Sequence, residues 1–324
     1  MKSTKIIFLS YVNRSGSTYL ANILSSSPAI LACPEGDMLV RELLEDPGSS
    51  VRSPSSLMHR LNHHFMHDSK LASWEMPQLR TDFIHPGNRN IDVFISLLDS
   101  YRDRIKPEAT KIVFKAERLV FLFDKLFNIT HGGYSFQFLT IVRDPRAVFH
   151  SQSHTRIPET GKKMAENPVY AGIYWNRHTR YADKLERTMP VYIMQYENLV
   201  QNFTRELENL SGFLKNDAAG FSPEKGDLLR RLPEDHRGIH RLIDEKPRKD
   251  KLTAWQDNLV KRETAAIETV AATGMAIIGY QPVSGISSKR RYLHFALFYY
   301  TLYHLLRMIR IIVFRVKRLI NISC

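Results

Sequence analysis

Five small or polar residues follow the first apolar run of the chain, Lys5–Tyr11, and could bind a phosphate. They are Arg14, Ser15, Gly16, Ser17 and Thr18. An apolar run, a small-residue turn and a helical pattern, in this order, predict a strand, a loop and the start of a helix. The first N–H groups of a helix lack intrahelical partners and lie at the positive end of its dipole. A phosphate is therefore the predicted ligand, although an ordinary strand–turn–helix cap would show the same pattern.

A second polar group follows another apolar run, Phe136–Val142. Arg143 comes directly after this run, Asp144-Pro145 is typical of a helix start, and Ser151 lies about two turns into the predicted helix. Ligands of open α/β sheets bind at the carboxyl ends of the strands. A guanidinium placed there can bind a phosphate through two parallel hydrogen bonds. The sequence thus predicts a second phosphate contact, although an Arg-Asp-Pro turn can also simply cap a helix.

Two known families share parts of the first motif. The P-loop of ATP and GTP enzymes, GxxxxGK[ST], has a lysine after its second glycine, whereas Ser17 follows Gly16 in this chain. With its arginine before the turn, the motif instead resembles the 5′-phosphosulfate loop of sulfotransferases that use 3′-phosphoadenylyl sulfate (PAPS). Val142–Ser151 resembles the 3′-phosphate segment of that family, R-[DN]-P-R-x-x-x-x-S, which is especially familiar in its carbohydrate branch.

The resemblance to PAPS-dependent sulfotransferases of the carbohydrate and tyrosylprotein branches extends over about Lys5 to Tyr280 and implies roles for further residues. Glu35 lies where tyrosylprotein sulfotransferases have their catalytic glutamate, and Lys115 resembles the lysine that faces the sulfate and the leaving phosphate. Glu117 matches the position of the catalytic histidine of cytosolic sulfotransferases. The general base is therefore Glu35 or Glu117, with Glu35 favoured.

The resemblance implies two overlapping sets of site residues. The implied catalytic residues are Glu35, Lys115, Arg14 and Glu117. The implied donor-binding residues are Arg14, Ser15, Gly16, Ser17, Thr18, Tyr19, Arg143, Ser151 and Lys246. Within the second set, Tyr19 is a candidate for stacking on the adenine, although an aromatic residue at a helix start is at least as often part of a core.

The implied reaction is transfer of a sulfuryl group from PAPS to an acceptor hydroxyl by in-line displacement, with a carboxylate as general base. A carbohydrate or glycolipid is the favoured acceptor, and a peptide is possible within the family. A kinase or nucleotidase of the P-loop type and a non-enzymatic basic membrane adaptor are the alternatives. No metal is expected: His59, His63 and His67 recur at helical spacing, but no cysteine or HExxH pattern accompanies them.

Short apolar runs alternate with longer helical patterns, which predicts a single α/β domain with a P-loop-like, mainly parallel central sheet flanked by helices. The predicted strands are Lys5–Tyr11, Ile30–Cys33, Lys111–Lys115, Phe136–Val142 and Val191–Gln195. The predicted helices are Thr18–Ser26, Leu119–Phe127, Pro145–Ser153, Val169–Arg187 and Leu199–Leu214. Residues 1–284 form the predicted domain, with 46–90, including a helix at Leu57–His67, as an insertion over the acceptor site.

Residues 285–324 are predicted to form a linker and a basic amphipathic helical tail. No acidic residue follows Glu268, and eight cations after residue 288 supply +8 of the net charge of +13. The uncharged stretch Tyr292–Leu306 is shorter than the ~20 residues of a membrane-spanning helix. Binding of residues 289–320 to an anionic membrane surface is favoured over packing on the domain or on a partner.

Composition sets the remaining expectations. Hydrophobic residues make up 43% and charged residues 24% of the 324 positions, which indicates a globular chain. Two cysteines do not provide a disulfide framework. Because the basic charge is concentrated in the tail and no RNA-binding motif occurs, no nucleic-acid partner is expected. With no leader segment before the first strand, the expected location is cytoplasmic and peripheral on a membrane.

Overall fold

A five-stranded parallel sheet forms the centre of the protein. The computed structural model describes residues 5–80, 83–129, 135–215, 221–232, 237–238, 248–285 and scattered positions between 298 and 313. The strands, in chain order, are β1 (Lys5–Tyr11), β2 (Ile30–Glu35), β3 (Lys111–Lys115), β4 (Ser135–Val142) and β5 (Val191–Gln195). Their order across the sheet is β2-β3-β1-β4-β5, and all neighbours are parallel.

The central strand β1 is buried on both faces, which explains its continuous apolar sequence. Ile6 and Phe8 pack into the core on one face of the sheet, and Ile7 and Leu9 pack into the core on the other. Helices cover both faces. A parallel α/β sheet flanked by helices is the architecture that the sequence predicts, and the prediction is confirmed.

The helices fall into three stretches of the chain. Between β1 and β3 lie α1 (Ser17–Ser25), α2 (Asp37–Leu39, continued by a π-helical turn at Val40–Leu44), α3 (Pro54–His67), α4 (Ser69–Ala72) and α5 (Asn90–Ile105). Between β3 and β5 lie a 3₁₀ turn (Leu119–Leu122), α6 (Phe123–Phe127), α7 (Pro145–His154) and α8 (Pro168–Glu186). After β5 come α9 (Tyr196–Gln201), α10 (Phe203–Leu214), a 3₁₀ turn (Leu228–Arg231), α11 (Asp250–Thr253), α12 (Trp255–Asn258) and α13 (Lys261–Ile278).

Three of the differences between predicted and observed elements have a local cause. Strand β2 continues to Glu35 through Pro34; a residue without an N–H is tolerated because β2 is an edge strand whose register shifts between Ala32 and Glu35. The helix predicted at Leu199–Leu214 is divided between α9 and α10 at Asn202, which has φ −125° and ψ 45°. Asparagine favours helix starts over helix interiors, which accounts for the division.

The third difference concerns the segment after β3. The predicted helix Leu119–Phe127 begins as a 3₁₀ turn and becomes α-helical only at Phe123. The N–H of Val120 donates a hydrogen bond of 2.9 Å to Oγ of Ser10, which ties the tighter turn to β1.

The described positions between 298 and 313 are helical, and apolar side chains among them are exposed. Examples are Phe298, Leu305 and Ile312. Within the described part of the chain, no helix has the length and apolar character needed to cross a membrane. The basic residues of the predicted tail lie outside the described residues.

Candidate active site

The loop between β1 and α1 contains two residues with positive φ, a backbone conformation that few residue types adopt readily. Arg14 has φ 73°, and Gly16, which precedes the first residue of α1, has φ 91°. A Cβ atom at Gly16 would lie 2.4 Å from Cδ2 of Tyr196, so a side chain there would overlap the tyrosine ring. Glycine is required at this position both by the left-handed backbone and by the packing. The resulting turn presents the start of α1 to the carboxyl edge of the sheet.

The residues of the two predicted phosphate motifs meet at this edge. Nε of Arg14 donates a hydrogen bond of 3.0 Å to Oγ of Ser151 on α7. Arg143, at the end of β4, donates from Nη1 to the carbonyl of Arg14 at 3.1 Å and from Nη2 to the carbonyl of Lys251 at 2.8 Å. Its guanidinium also lies 4.8 Å from the ring centroid of Tyr196. The structure therefore brings together two arginines and a serine from distant parts of the chain.

Two buried polar atoms in this cluster have no hydrogen-bond partner within the described residues. They are Oγ of Ser15 and Nε of Arg143. Burial, followed by the neighbouring Arg143 guanidinium, lowers the pKa of Arg14. Buried polar groups are almost always satisfied, and two adjacent guanidinium groups repel each other. A bound polyanion would satisfy both orphan atoms and offset the repulsion.

Next to the loop, Lys115 at the end of β3 connects α1 with a carboxylate. Its Nζ lies 3.2 Å from Oγ1 of Thr18 and 3.2 Å from Oε1 of Glu35. Burial lowers the pKa of Lys115, although the Glu35 carboxylate opposes the shift. The second carboxylate oxygen of Glu35 forms a close ion pair with Lys70 of α4. Glu35 thus lies between two ammonium groups, one from the sheet and one from the 46–90 segment.

Two further carboxylates, Asp37 and Glu117, lie beside Glu35 and form the carboxylate cluster with it. The N–H of Glu117 donates a hydrogen bond of 3.0 Å to Oδ1 of Asp37. Burial, then the charges of Asp37 and Glu35, raise the pKa of Glu117 to about 7. Burial and Glu35 also raise the pKa of Asp37. Within this cluster, Glu117 is a group that exchanges a proton near neutral pH, as a general base or acid requires.

No family model matches this chain, and no curated protein matches it. Solved structures do. A sulfotransferase domain from the curacin biosynthetic pathway aligns with a TM-score of 0.55 and 16% identity, covering 87% of this chain and 99% of that domain. A sulfotransferase domain from the Synechococcus PCC 7002 olefin synthase aligns with a TM-score of 0.54 and 18% identity, covering 87% and 97%. The chain has the sulfotransferase fold.

In this sulfotransferase fold, the second arginine of the Arg-Asp-Pro-Arg motif is structural. Arg146 is buried and forms ion pairs with Asp144 at 2.7 Å and Glu268 at 2.6 Å, and its guanidinium lies 4.1 Å from the ring centroid of Trp255. These contacts join α7, α12 and α13. Arg143, three residues earlier, is the arginine of this motif that lies at the Arg14–Ser151 cluster.

The Tyr-Glu segment after β5 and the Gly-Tyr pair after α13 also support the site. Oε1 of Glu197 accepts a hydrogen bond of 2.9 Å from the N–H of Asp144, and Oε2 accepts one of 2.5 Å from the hydroxyl of Tyr280. Glu197 therefore fixes the turn that follows Arg143. The indole N–H of Trp175 fixes it from the other side by donating to the carbonyl of Arg143 at 2.8 Å.

The remaining predicted site residues are placed as follows. Tyr19, in the first turn of α1, packs into a hydrophobic core, and its contact with an adenine stays a prediction. Lys246 lies outside the described residues. In the described part of the chain, no group of three or more His, Cys, Asp or Glu residues could hold a metal ion. On α3, the rings of His63 and His67 lie 4.6 Å apart, centroid to centroid.

Sequence reasoning missed Asp37 of the carboxylate cluster and two residues that interact with it, Tyr11 and Lys70. Asp37 follows Glu35 by two positions, and Tyr11 is the last residue of β1, so both could have been found from their places at strand ends. Burial and Glu35 raise the pKa of Tyr11 well above its ordinary value. Lys70 had no comparable signal, because its segment lies far from any strand in the sequence.

Proposed function

We propose that the protein transfers a sulfuryl group from PAPS to a hydroxyl group of an acceptor. The convergence of Arg14, Arg143 and Ser151, together with the two orphan buried atoms, supports this proposal most strongly. The start of α1 suits the 5′-phosphosulfate, because helix N-termini bind such anions through their free N–H groups. Arg143 and Ser151 suit the 3′-phosphate, which distinguishes this donor from ordinary adenine nucleotides.

In the proposed reaction, the bond between sulfur and the bridging oxygen breaks as a bond to the acceptor oxygen forms. The acceptor proton passes to a carboxylate, and adenosine 3′,5′-bisphosphate leaves with the bridging oxygen. Lys115 and Arg14 are suited to neutralise the charge that gathers on that oxygen, because they lie beside Thr18 and the loop. Their burial strengthens this electrostatic effect.

Glu35 and Glu117 are the two candidates for the general base. Proximity favours Glu35, since Lys115 connects it directly to the helix start at Thr18. Proton affinity favours Glu117, whose pKa of about 7 matches the task better than that of an ordinary glutamate. Geometry comes first in assigning a base, and we therefore propose Glu35 as the base and Glu117 as the neighbour that shares its proton.

Ligand binding tests the proposal against a P-loop kinase or nucleotidase. Thermal unfolding is measured with adenosine 3′,5′-bisphosphate, with adenosine 5′-phosphate and with ATP and Mg²⁺. At a hundredfold excess over its dissociation constant, the bisphosphate should stabilise the fold by ~2.7 kcal/mol. The monophosphate, which lacks the 3′ group, should stabilise it less. Stabilisation by ATP with Mg²⁺ alone would contradict the proposal and favour the kinase.

We further propose that the tail holds the enzyme on an anionic membrane surface and that the acceptor is a carbohydrate or glycolipid found there. Exposed apolar residues between 298 and 313 and eight cations without any acidic residue support this assignment. Sedimentation with vesicles containing phosphatidylserine, compared with neutral vesicles and with a variant lacking residues 285–324, provides the test. Binding that survives the deletion would assign membrane contact to another surface. A protein that stays in solution with both vesicles would contradict the proposal.

A further inference from the structure

Lys70 reaches the carboxylate cluster from the segment 46–90, and its position is fixed on both sides. Oδ1 of Asp68 caps α4 by accepting hydrogen bonds from the N–H groups of Lys70 and Leu71 at 3.1 and 3.0 Å. Leu71 is buried, which anchors the helix on the core. After the helix, the indole N–H of Trp74 donates to the carbonyl of Glu35 at 3.3 Å. Arg104 of α5 donates to the carbonyl of Trp74 as well.

The two oxygens of Glu35 are divided between two lysines with different surroundings. Oε1 contacts Lys115, which is buried and also contacts Thr18 at the start of α1. Oε2 contacts Lys70, whose side chain is 34% exposed. Burial alone would lower the pKa of Lys70, but Glu35, Asp37 and Glu117 together outweigh burial, and the pKa of Lys70 is raised. Lys115 is thus the partner of Glu35 that also contacts the start of α1.

A lone carboxylate at this place would be poorly stabilised. The charged and titratable groups that act on Glu35 or are acted on by it come from β1, the phosphate loop, α2, α4 and β3 with the turn after it. They are Tyr11, Arg14, Asp37, Lys70, Lys115 and Glu117. Two of these six, Asp37 and Glu117, are carboxyl groups, and like charges disfavour a further ionised carboxylate nearby. Glu35 therefore depends on its cations to stay ionised.

We propose that Lys70 is a positioning residue that keeps Glu35 ionised and oriented while Lys115 turns toward the sulfate of the donor. This inference rests on the proposed sulfuryl transfer. The ammonium group of Lys115 already contacts Thr18 and Oε1 of Glu35, so a further charge-assisted hydrogen bond to the donor divides its single charge between the donor and Glu35. The ion pair of Lys70 with Oε2 is on the opposite oxygen and is retained. The segment 46–90 then contributes to chemistry through one ammonium group.

Turnover of full-length enzyme provides the first test, with total lipid and glycan extract as acceptor and release of adenosine 3′,5′-bisphosphate as the signal. Lys70→Met should lower kcat by about tenfold to a hundredfold and move the acid limb of the pH–rate profile to higher pH. Lys70→Arg should restore most of the activity. Arg60→Met is the matched control, because Arg60 lies on the same segment as Lys70 but pairs with a different carboxylate, that of Glu42, at 2.8 Å. An unchanged kcat and pH profile in Lys70→Met would overturn the inference.

A second measurement does not depend on turnover. Lysines of the full-length protein are labelled with ¹³C-methyl groups, and the Lys70 signal is assigned by its loss in Lys70→Arg. The signal should titrate at higher pH than those of exposed lysines and should move in Glu35→Gln. Saturation with adenosine 3′,5′-bisphosphate should leave it in place. If the nucleotide moves it to its position in Glu35→Gln, the pair is broken in the complex and the inference fails. Absence of nucleotide binding would instead contradict the proposed function.

Discussion

Nε of Arg14 donates a hydrogen bond of 3.0 Å to Oγ of Ser151, although 137 positions separate the two residues. Their meeting follows from the topology of the sheet. Strands β1 and β4 are parallel neighbours, with Tyr11 opposite Ile141. The loops that follow these strands must therefore lie side by side at the carboxyl edge. Two motifs that are separate in the sequence form one anion-binding cluster in the fold.

Arg143→Ala should weaken binding of adenosine 3′,5′-bisphosphate about tenfold to a hundredfold, since a charge-assisted hydrogen bond contributes about 1.5–3 kcal/mol. The turnover number at saturating donor should change much less, because Arg143 is assigned to the 3′-phosphate rather than to the sulfate. Titration calorimetry measures the affinity. Arg187→Ala, which removes an exposed arginine paired with Asp183 on α8, serves as the control. Equal affinities in wild type and Arg143→Ala would refute the role.

Arg146→Met should act on stability instead of on affinity. The change leaves Asp144 and Glu268 buried without their cation, and breaking a buried ion pair costs about 3–5 kcal/mol. Urea unfolding should show this loss, while the folded fraction binds adenosine 3′,5′-bisphosphate with an affinity close to that of the wild type. A variant of normal stability with weakened nucleotide binding would mean that Arg146, and not only Arg143, contacts the donor.

Gly16→Ala should disrupt the phosphate loop for two separable reasons. The φ of 91° costs an L-residue about 1–2 kcal/mol, and the new methyl group would overlap the ring of Tyr196. Gly279→Ala isolates the first reason, because Gly279 has the same φ of 91° but open space around its Cβ position. We expect Gly16→Ala to destabilise the protein more than Gly279→Ala and to be the one that loses nucleotide binding. Thermal unfolding with and without nucleotide measures both effects. Equal losses of stability in the two variants would show that the ring of Tyr196 moves aside at little cost.

Glu35→Gln and Glu117→Gln distinguish the two candidate bases. If Glu35 is the base, Glu35→Gln should lower kcat by at least about a hundredfold, as loss of general base catalysis does, with nucleotide affinity retained. Glu117→Gln should then keep substantial turnover but lose the rise in activity as pH increases through about 7, where Glu117 ionises. The pH–rate profiles of both variants decide the assignment. Full activity of Glu35→Gln, with loss of activity in Glu117→Gln, would assign the base to Glu117.

Many of the strands and the residues of the phosphate motifs can be predicted from short stretches of the sequence, whereas contacts between distant segments cannot. Strands β1, β3 and β5 have the bounds that the sequence predicts. Strands β1 and β3 lie inside the sheet, where a strand buried on both faces needs a continuous apolar run. Arg14, Ser151 and Arg143 were predicted as a set from residue type and from their places after strands. Their contacts with one another follow from that placement once the strand order is known.

The contact of Lys70 with Glu35 could not be predicted in the same way. Nor could the different places of Arg143, at the site, and Arg146, in the core. Lys70 contacts Glu35 only because Asp68, Leu71 and Trp74 fix α4 against the core. Arg146 points away from the site because Glu268 and Trp255, more than a hundred positions later, surround it. In both cases the decisive partners are distant in sequence and carry no motif of their own.

His178 on α8 should make stability depend on pH in a defined direction. Burial lowers the pKa of this histidine from 6.5 to about 3, and its Nε2 lies 3.1 Å from Oγ of Ser10, which also contacts the Glu117–Val120 turn. The unfolded chain takes up a proton near pH 6.5, whereas the folded chain does not until about pH 3. This contribution is therefore complete above pH 6.5 and is lost progressively as the pH falls toward 3.

At pH 5, the histidine alone should reduce the free energy of unfolding by about 2 kcal/mol relative to pH 7.5, since each pH unit below 6.5 corresponds to about 1.4 kcal/mol. Urea unfolding of wild type and His178→Asn at both pH values isolates the effect, because asparagine can hydrogen-bond to Ser10 but does not titrate. His154→Asn, at an exposed histidine of α7, should leave the pH dependence of the wild type intact. If His178→Asn shows the same loss between pH 7.5 and 5 as the wild type, His178 is not held neutral. The Glu117 turn would then lie against a charged group and not a neutral ring.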